Sequence, residues 1–504
     1  METSLTDSLT LNSNSLRTTL EKPVIVVIPD TSISIYEIRS NRRRLFILII
    51  LALSSILLPF SDSVYLPSLA NIEHDLHAST TLVDYTISTY LICAGIFSLL
   101  WGSLSDQFGR KIILLLSFTT FLGFTIVCIL ARSIIVLLIF RSLQGAAISA
   151  SLVVAQSAIV DMYQPDTLGF AMGLFLVPFL IGPILGPFIG GLLSNAFGWR
   201  STFISLAIMS VISALLILVF VPETHHYLVL QQLSRDVKKK CKHRNQTNTV
   251  IVREADNILK PRFMFPWHPL LALSDMTIVP HIAVSNMNFT ALFISLTLMS
   301  NRESQEPYTL SSLHIGFSYI PVGLFALLGS LSGGWVSDWS AKHFSQAMEG
   351  RLILNLIGTL MCPIGLLLYG WTFHFGIHLA LPLISSALFS FGESFMYTST
   401  CAFVNIKKPA MAGSLLALIN AISFVCAGIG IIVAIPLLTL VGFGPLLSLV
   451  AGLSFLLICI SMIIVIYQLR SSKLSLVGLN DLSKAASTGI CTAQPENIIS
   501  VQWF

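Results

Sequence analysis

Charge is what this chain has least of: Asp, Glu, Lys and Arg together make up 10% of its 504 residues, against 54% hydrophobic residues and a mean hydropathy of +0.83. That balance excludes a soluble globular protein and describes an all-helical protein that crosses a membrane many times. A formal net charge of +4 adds little, because topology depends on where Lys and Arg fall and not on their total. A disulfide framework is also missing. Cys93, Cys128, Cys362, Cys401, Cys426 and Cys459 fall in apolar stretches, Cys241 in a basic one and Cys491 near the end, and no His/Cys spacing suggests a metal site. The chain has no nucleotide-binding loop, no zinc-ligand helix and no nucleophile elbow. Neither an enzyme nor a pump driven by nucleotide hydrolysis is expected. The first apolar run begins only at Leu45, behind Arg42, Arg43 and Arg44, so no cleavable signal near Met1 is expected.

What is present is a series of apolar runs close to the ~20 residues a helix needs to cross a bilayer. Twelve are expected, at 45–67, 82–101, 112–131, 134–157, 168–193, 199–221, 277–299, 313–336, 352–371, 377–400, 411–438 and 446–468. With both ends inside, 24 of the 28 Lys and Arg fall in cytoplasmic segments; Arg132, Arg200 and Arg302 fall outside and Arg141 lies within a span. That asymmetry orients the chain. The expected organisation is a disordered cytoplasmic tail over 1–41, a six-helix half over 42–221, a linker over 222–276, a second six-helix half over 277–470 and a cytoplasmic tail over 471–504. The linker carries Arg235, Lys238, Lys239, Lys240, Lys242, Arg244, Arg253, Lys260 and Arg262. It reads as a solvated connection or as a basic segment for anionic lipid. The sequon at Asn245 is discounted because this topology keeps it from the lumen.

The stretch that organises the chain is Gly102-Ser103-Leu104-Ser105-Asp106-Gln107-Phe108-Gly109-Arg110-Lys111, a charged turn between the second and third spans. Gly102 permits close helix approach, Gly109 turns the chain, and Arg110 and Lys111 hold the loop inside. A weaker echo, Gly334-Trp335-Val336-Ser337-Asp338 followed by Lys342, stands between spans eight and nine and supports two related halves. In the fifth span Gly182, Gly186 and Gly190 recur every four residues among Pro178, Pro183 and Pro187. This is either a small-residue packing face or a bend where the two halves meet.

These stretches resemble the major facilitator superfamily, whose loop between helices two and three carries the first pattern. Arg141-Ser142-Leu143-Gln144-Gly145 resembles the fourth-helix motif of its proton-coupled members. Gly182-Pro183-Ile184-Leu185-Gly186-Pro187-Phe188-Ile189-Gly190-Gly191 resembles the fifth-helix motif of its drug:proton antiporters. Within these, residues 44–470 are similar to the fungal twelve-span group that includes quinidine-resistance and dityrosine transporters. The resemblance implies twelve helices in two pseudo-symmetric halves and a multidrug or small-solute exporter working by alternating access. The proton gradient would be the energy source, with no cofactor and no nucleic-acid partner. A plasma-membrane location and an amphipathic or cationic substrate follow from the same resemblance, as does a latch in which Asp106, held by Arg110, meets the start of the eleventh span. The alternative is a facilitator or proton symporter taking up a nutrient.

Three ionisable residues inside the spans need a partner, a wet cavity or a proton. Asp62 and Arg141 both lie ~7 to 9 Å from the midplane on one side at ~1.5 Å per residue. They form either a structural ion pair or a proton-coupling pair. Glu393 in the tenth span is a second proton site, a cation-binding carboxylate or a neutral structural acid. Tyr65, Gln144, Asn286, Asn288, Tyr397 and Asn420 are cavity candidates, each equally able to bond a neighbouring helix.

Overall fold

The computed structural model describes residues 40–225, 228, 229, 231, 278–344, 358–407 and 412–487. The N-terminal tail, almost all of the expected linker with its nine cations, Asn245, Cys241, Cys491 and the start of the ninth span lie outside these residues, as do the side chains of Asp338 and Lys342. The helices below all belong to one compact unit of the chain.

Apolar runs become helices because a bilayer offers the backbone no other hydrogen-bond partners. The first run is α1 (Asn41–Ser55), α2 (Leu57–Ser63), a short 3-10 turn at Leu66–Ser68 and α3 (Leu69–Asp75). Pro59 and Pro67, which lack backbone donors, fall in its irregular part. It is followed by α4 (Thr80–Phe108), α5 (Arg110–Leu130), α6 (Ile134–Ile148) with α7 (Ala150–Val160), α8 (Pro165–Phe197) and α9 (Arg200–Phe220). The second half contains α10 (Val279–Ser304), α11 (Ser312–Phe344), α12 (Met361–His374), α13 (Ala380–Lys407), α14 (Ala412–Val441) and α15 (Phe443–Ser487). Ten of these stretches, with α1–α3 and α6–α7 each counted once, are long and apolar enough to cross a bilayer. The other two expected spans are α12, whose sequence continues into residues outside the description, and α13, whose serines and Glu393 make it less apolar. Helix α15 runs on into the expected tail as far as Ser487, since no proline interrupts it.

The expected turn is made by Gly109, whose φ of 99° suits only glycine. It brings the end of α4 against the start of α5. Two seams join the halves. One is α4 on α14, where Gly95 meets the Ala421 carbonyl and Gly428 the Ser88 carbonyl; the other is α8 on α11, where Gly191 meets the Ser312 carbonyl and Gly316 the Pro187 carbonyl. Small residues set both approaches. The three-glycine face of α8 does something else: Gly182 lies against Pro59, Gly186 against Ser63 and Gly190 against the Val64 carbonyl. That face therefore packs on the first span inside one half, and it is the flanking residues Pro187 and Gly191 that reach across.

Candidate functional site

A cavity opens between the halves. One wall comes from α2 and α8 through Pro59, Asp62, Ser63, Phe179 and Pro183. The opposite wall comes from α10, α11, α13 and α14. On α10 Phe289, Leu292, Phe293 and Leu296 stand at i, i+3, i+4 and i+7, one helical face. Phe289 is its hub, with ring centroids 5.0 Å from Phe293, 5.5 Å from Phe424 and 6.4 Å from Tyr397. Two carboxylates enter this aromatic chamber, Asp62 from one half and Glu393 from the other, and the lining includes no Lys, Arg or His. Both are buried, and Asp62 Oδ1 has no hydrogen-bond partner, whereas Glu393 accepts from Ser394 Oγ at 3.0 Å.

Arg141 does not share that chamber. Its guanidinium is wholly buried between Tyr65 and Tyr90, 4.2 and 4.3 Å from their ring centroids, with Phe203 at 5.6 Å. It donates to the Ser61 carbonyl at 3.0 Å, to Ser61 Oγ at 3.2 Å and to Gln144 Oε1 at 2.9 Å. The expected Asp62–Arg141 ion pair is thus absent among the described ion pairs. Neighbouring residues on a helix are turned ~100° apart. Ser61 faces the arginine, so Asp62 faces the cavity. Arg141 holds the backbone beside Asp62 through the Ser61 carbonyl, and its charge also reaches that carboxylate through space.

Of the six cavity candidates only Tyr397 lines the void. Tyr65 and Gln144 build the arginine cage, Tyr65 hydroxyl pairing with Thr86 at 3.2 Å and Gln144 Nε2 donating to Thr125 at 2.7 Å. Asn286 accepts from Ser423, Asn288 accepts from Ser454 at 2.6 Å, and Asn420 accepts from Tyr397 hydroxyl at 2.7 Å. Those asparagines join neighbouring helices of one half.

The charged turn forms a second site. Arg110 pairs with Asp106 at 2.5 Å and with Asp161 of the α7–α8 connection at 3.0 Å, and it donates to Ser105 at 2.6 Å. Glu223, just past α9, accepts from the backbone N–H groups of Arg110 (2.9 Å) and Lys111 (3.2 Å). A carboxylate there neutralises the positive end of α5. Lys111 Nζ returns the connection by donating to the Leu218 carbonyl at 2.8 Å, at the end of α9. Burial and the Arg110 guanidinium push the His225 imidazole below its usual pKa. Nothing in the sequence marks Asp161, whereas Glu223 has a signal in the string Pro222-Glu223-Thr224 directly after a span. Gly102 sits against Val153, and the side chains at 411–414 that the Asp106 latch would meet lie outside the described residues.

At the opposite, Asp75 end, hydrogen bonds cross between the halves. Asn71 reaches Ser312 at 3.1 Å, Ser300 Oγ donates to the Leu66 carbonyl at 2.5 Å, and Asn301 Nδ2 meets both oxygens of Asp84 at 3.0 and 2.8 Å. This clasp was not expected from the sequence.

A sequence model described as Major Facilitator Superfamily matches residues 51–431. Among curated relatives, the chain is 26% identical to "MFS antiporter QDR3" of Candida albicans, over 82% of this chain and 76% of that protein. It is 28% identical to "Dityrosine transporter 1" of Saccharomyces cerevisiae, over 82% and 78%. To "Multidrug transporter DTR1" of Candida glabrata it is 28% identical, over 69% and 70%. Among solved structures, a partially occluded inward-open conformation of the xylose transporter XylE from E. coli shares the fold with a TM-score of 0.61. Identity there is 15%, over 83% of this chain and 97% of that one.

Proposed function

The chain belongs to the major facilitator superfamily, and from that premise we propose that it is a proton-coupled exporter of small amphipathic or cationic organic solutes. It works by alternating access between its two six-helix halves. The observation that carries this reading is the aromatic cavity entered by Asp62 and Glu393 from opposite halves with no cation in its lining. Unit charges 4 Å apart interact by ~4 kcal/mol at an effective dielectric of 20, so with either carboxylate ionised this chamber repels anions and favours cations, and protonation removes that preference. A cation within ~6 Å of the faces of Phe289, Tyr397 or Phe424 gains a further ~1 to 2 kcal/mol once desolvated. Protons and an organic cation then compete for the same carboxylates, which is what an exchanger needs.

The relatives named as an antiporter and a multidrug transporter support export as the direction. The Arg110 end, with Arg42, Arg43 and Arg44 at the start of α1, is the cytoplasmic end by the distribution of cations. The Asp75 end then faces outward, in the plasma membrane. No cofactor enters the cycle; the proton gradient supplies the energy.

The test is flux in sealed proteoliposomes with an imposed pH gradient, across a panel of cationic drugs, polyamines and aromatic amino-acid derivatives. Uphill movement of hydrophobic cations against proton flow supports the reading. Gradient-independent equilibration, or co-transport of a neutral solute with protons, refutes it.

A further inference from the structure

Glu303 lies in the last turn of α10, at the outward end. It is fully buried, and neither of its carboxyl oxygens has a hydrogen-bond partner. Of the groups that face it, only the Ser318 hydroxyl is placed to interact with the carboxyl, and the rest are committed elsewhere. From α11, Ser318 donates to the His314 carbonyl at 3.2 Å and Tyr319 to the Leu296 carbonyl at 2.6 Å. From α12, Tyr369 donates to the Ser295 carbonyl at 2.9 Å, and from the α10–α11 connection Tyr308 donates to the Ile377 carbonyl at 2.5 Å. The adjacent Arg302 points away to the Glu306 and Phe373 carbonyls, and the His314 ring pairs with Ser311. Glu303 takes part in none of the ion pairs among the described residues.

An ionised carboxylate shut away with no cation and no well-formed hydrogen bond costs several kcal/mol, more than one nearby hydroxyl offsets. Glu303 is therefore held as the uncharged acid while this end is closed. The same turn of α10 carries the clasp between the halves, Ser300 on Leu66 and Asn301 on Asp84. Asp84, with Glu73 nearby, has both oxygens engaged; Glu303 has neither. Parting the halves here breaks the clasp and brings water toward Glu303.

We propose that Glu303 is a proton-binding site of the outward gate, separate from the transport cavity. It takes up a proton from the outer compartment when the gate is open, and only as the neutral acid does it let Ser300 and Asn301 re-engage the first half. The proposal rests on the alternating-access reading but not on the substrate or the direction of transport. Its test reads gate separation without any flux, so its failure is distinguishable from failure of the exporter reading.

The experiment uses full-length protein in lipid nanodiscs, with native cysteines replaced and spin labels at the exposed positions His74 and Phe375. The distance between them is measured from pH 5 to 9 without substrate. The wild-type closed population should fall as pH rises, by up to about tenfold per unit for one linked proton. Glu303→Gln should stay closed throughout, and Glu303→Asp should keep a pH dependence. Asp84→Asn should keep it as well. A flat wild-type profile overturns the proposal, as does a Glu303→Gln profile like wild type. If Glu303→Gln does not fold, the wild-type and Asp84→Asn profiles still decide: loss of the dependence in Asp84→Asn assigns the proton to Asp84 and overturns the proposal.

Discussion

Removing one carboxylate at a time from Arg110 separates two roles that the charged turn combines. Arg110 is 9% exposed in its side chain, and its partners differ: Asp106 is 43% exposed and Asp161 17%. The Asp106 contact, though short at 2.5 Å, is screened by solvent, and such a pair is worth ~0.2 to 1 kcal/mol. Asp161→Asn instead weakens the buried side of the guanidinium's surroundings. Breaking a buried pair costs ~3 to 5 kcal/mol, and partial exposure of Asp161 reduces that to the order of 2 to 4 kcal/mol. Thermal unfolding of the purified protein in detergent should therefore show a clearly larger loss for Asp161→Asn than for Asp106→Asn. If Asp106 also latches the cytoplasmic end, Asp106→Asn should slow closure measured by crosslinking between α4 and α14 while leaving the melting temperature nearly unchanged. Equal losses in melting temperature, or the reverse ranking, would refute the burial reasoning. Normal closure and transport in Asp106→Asn would remove the latch.

Gly186→Leu places a branched side chain where even a Cβ would overlap Ser63 Oγ; overpacking of this kind costs ~1 to 3 kcal/mol. Because Ser63 adjoins Asp62, expression, melting temperature and proton leak should suffer more than substrate affinity, and wild-type flux without added leak would contradict a tight α2–α8 seam. His225 has its pKa lowered by burial and by Arg110, so the folded protein favours its neutral form. That contribution to stability is complete above the ordinary imidazole value of about 6.5 and is lost as pH falls below it. Wild type should lose more melting temperature than His225→Gln between pH 7.5 and 5.5, and equal losses would contradict the assignment.

The charge-poor composition, the long runs and the Gly102–Lys111 turn made the fold legible, because each reflects a constraint the bilayer imposes on any chain. Asp62 and Glu393 were legible for the same reason: an ionisable group in an apolar run stands out. Phe289, Phe293 and Phe424 did not stand out, since an aromatic residue among leucines and isoleucines reads equally as core, lipid face or cavity wall. Arg141 is equally visible as a cation inside a span, but its partner is not. Distance along the membrane normal put Asp62 within reach, whereas rotation about α2 handed the guanidinium to Ser61. Asp161, Glu223, Asp84 and Glu303 sit at or beyond span ends, where charge is ordinary in sequence. Only tertiary packing shows that Glu303 is closed off from water and that Glu223 caps a helix 113 residues away.

Asp62 as the coupling carboxylate is tested most directly by counting protons released when purified protein in weakly buffered detergent solution binds tetraphenylphosphonium, a hydrophobic organic cation. Wild type should release protons on binding. Asp62→Asn should bind the cation with little or no release and fail to drive uphill export, while Glu393→Gln should still release a proton and change which cations are carried. Undiminished release and uphill export by Asp62→Asn would contradict the assignment and move the coupling to Glu393.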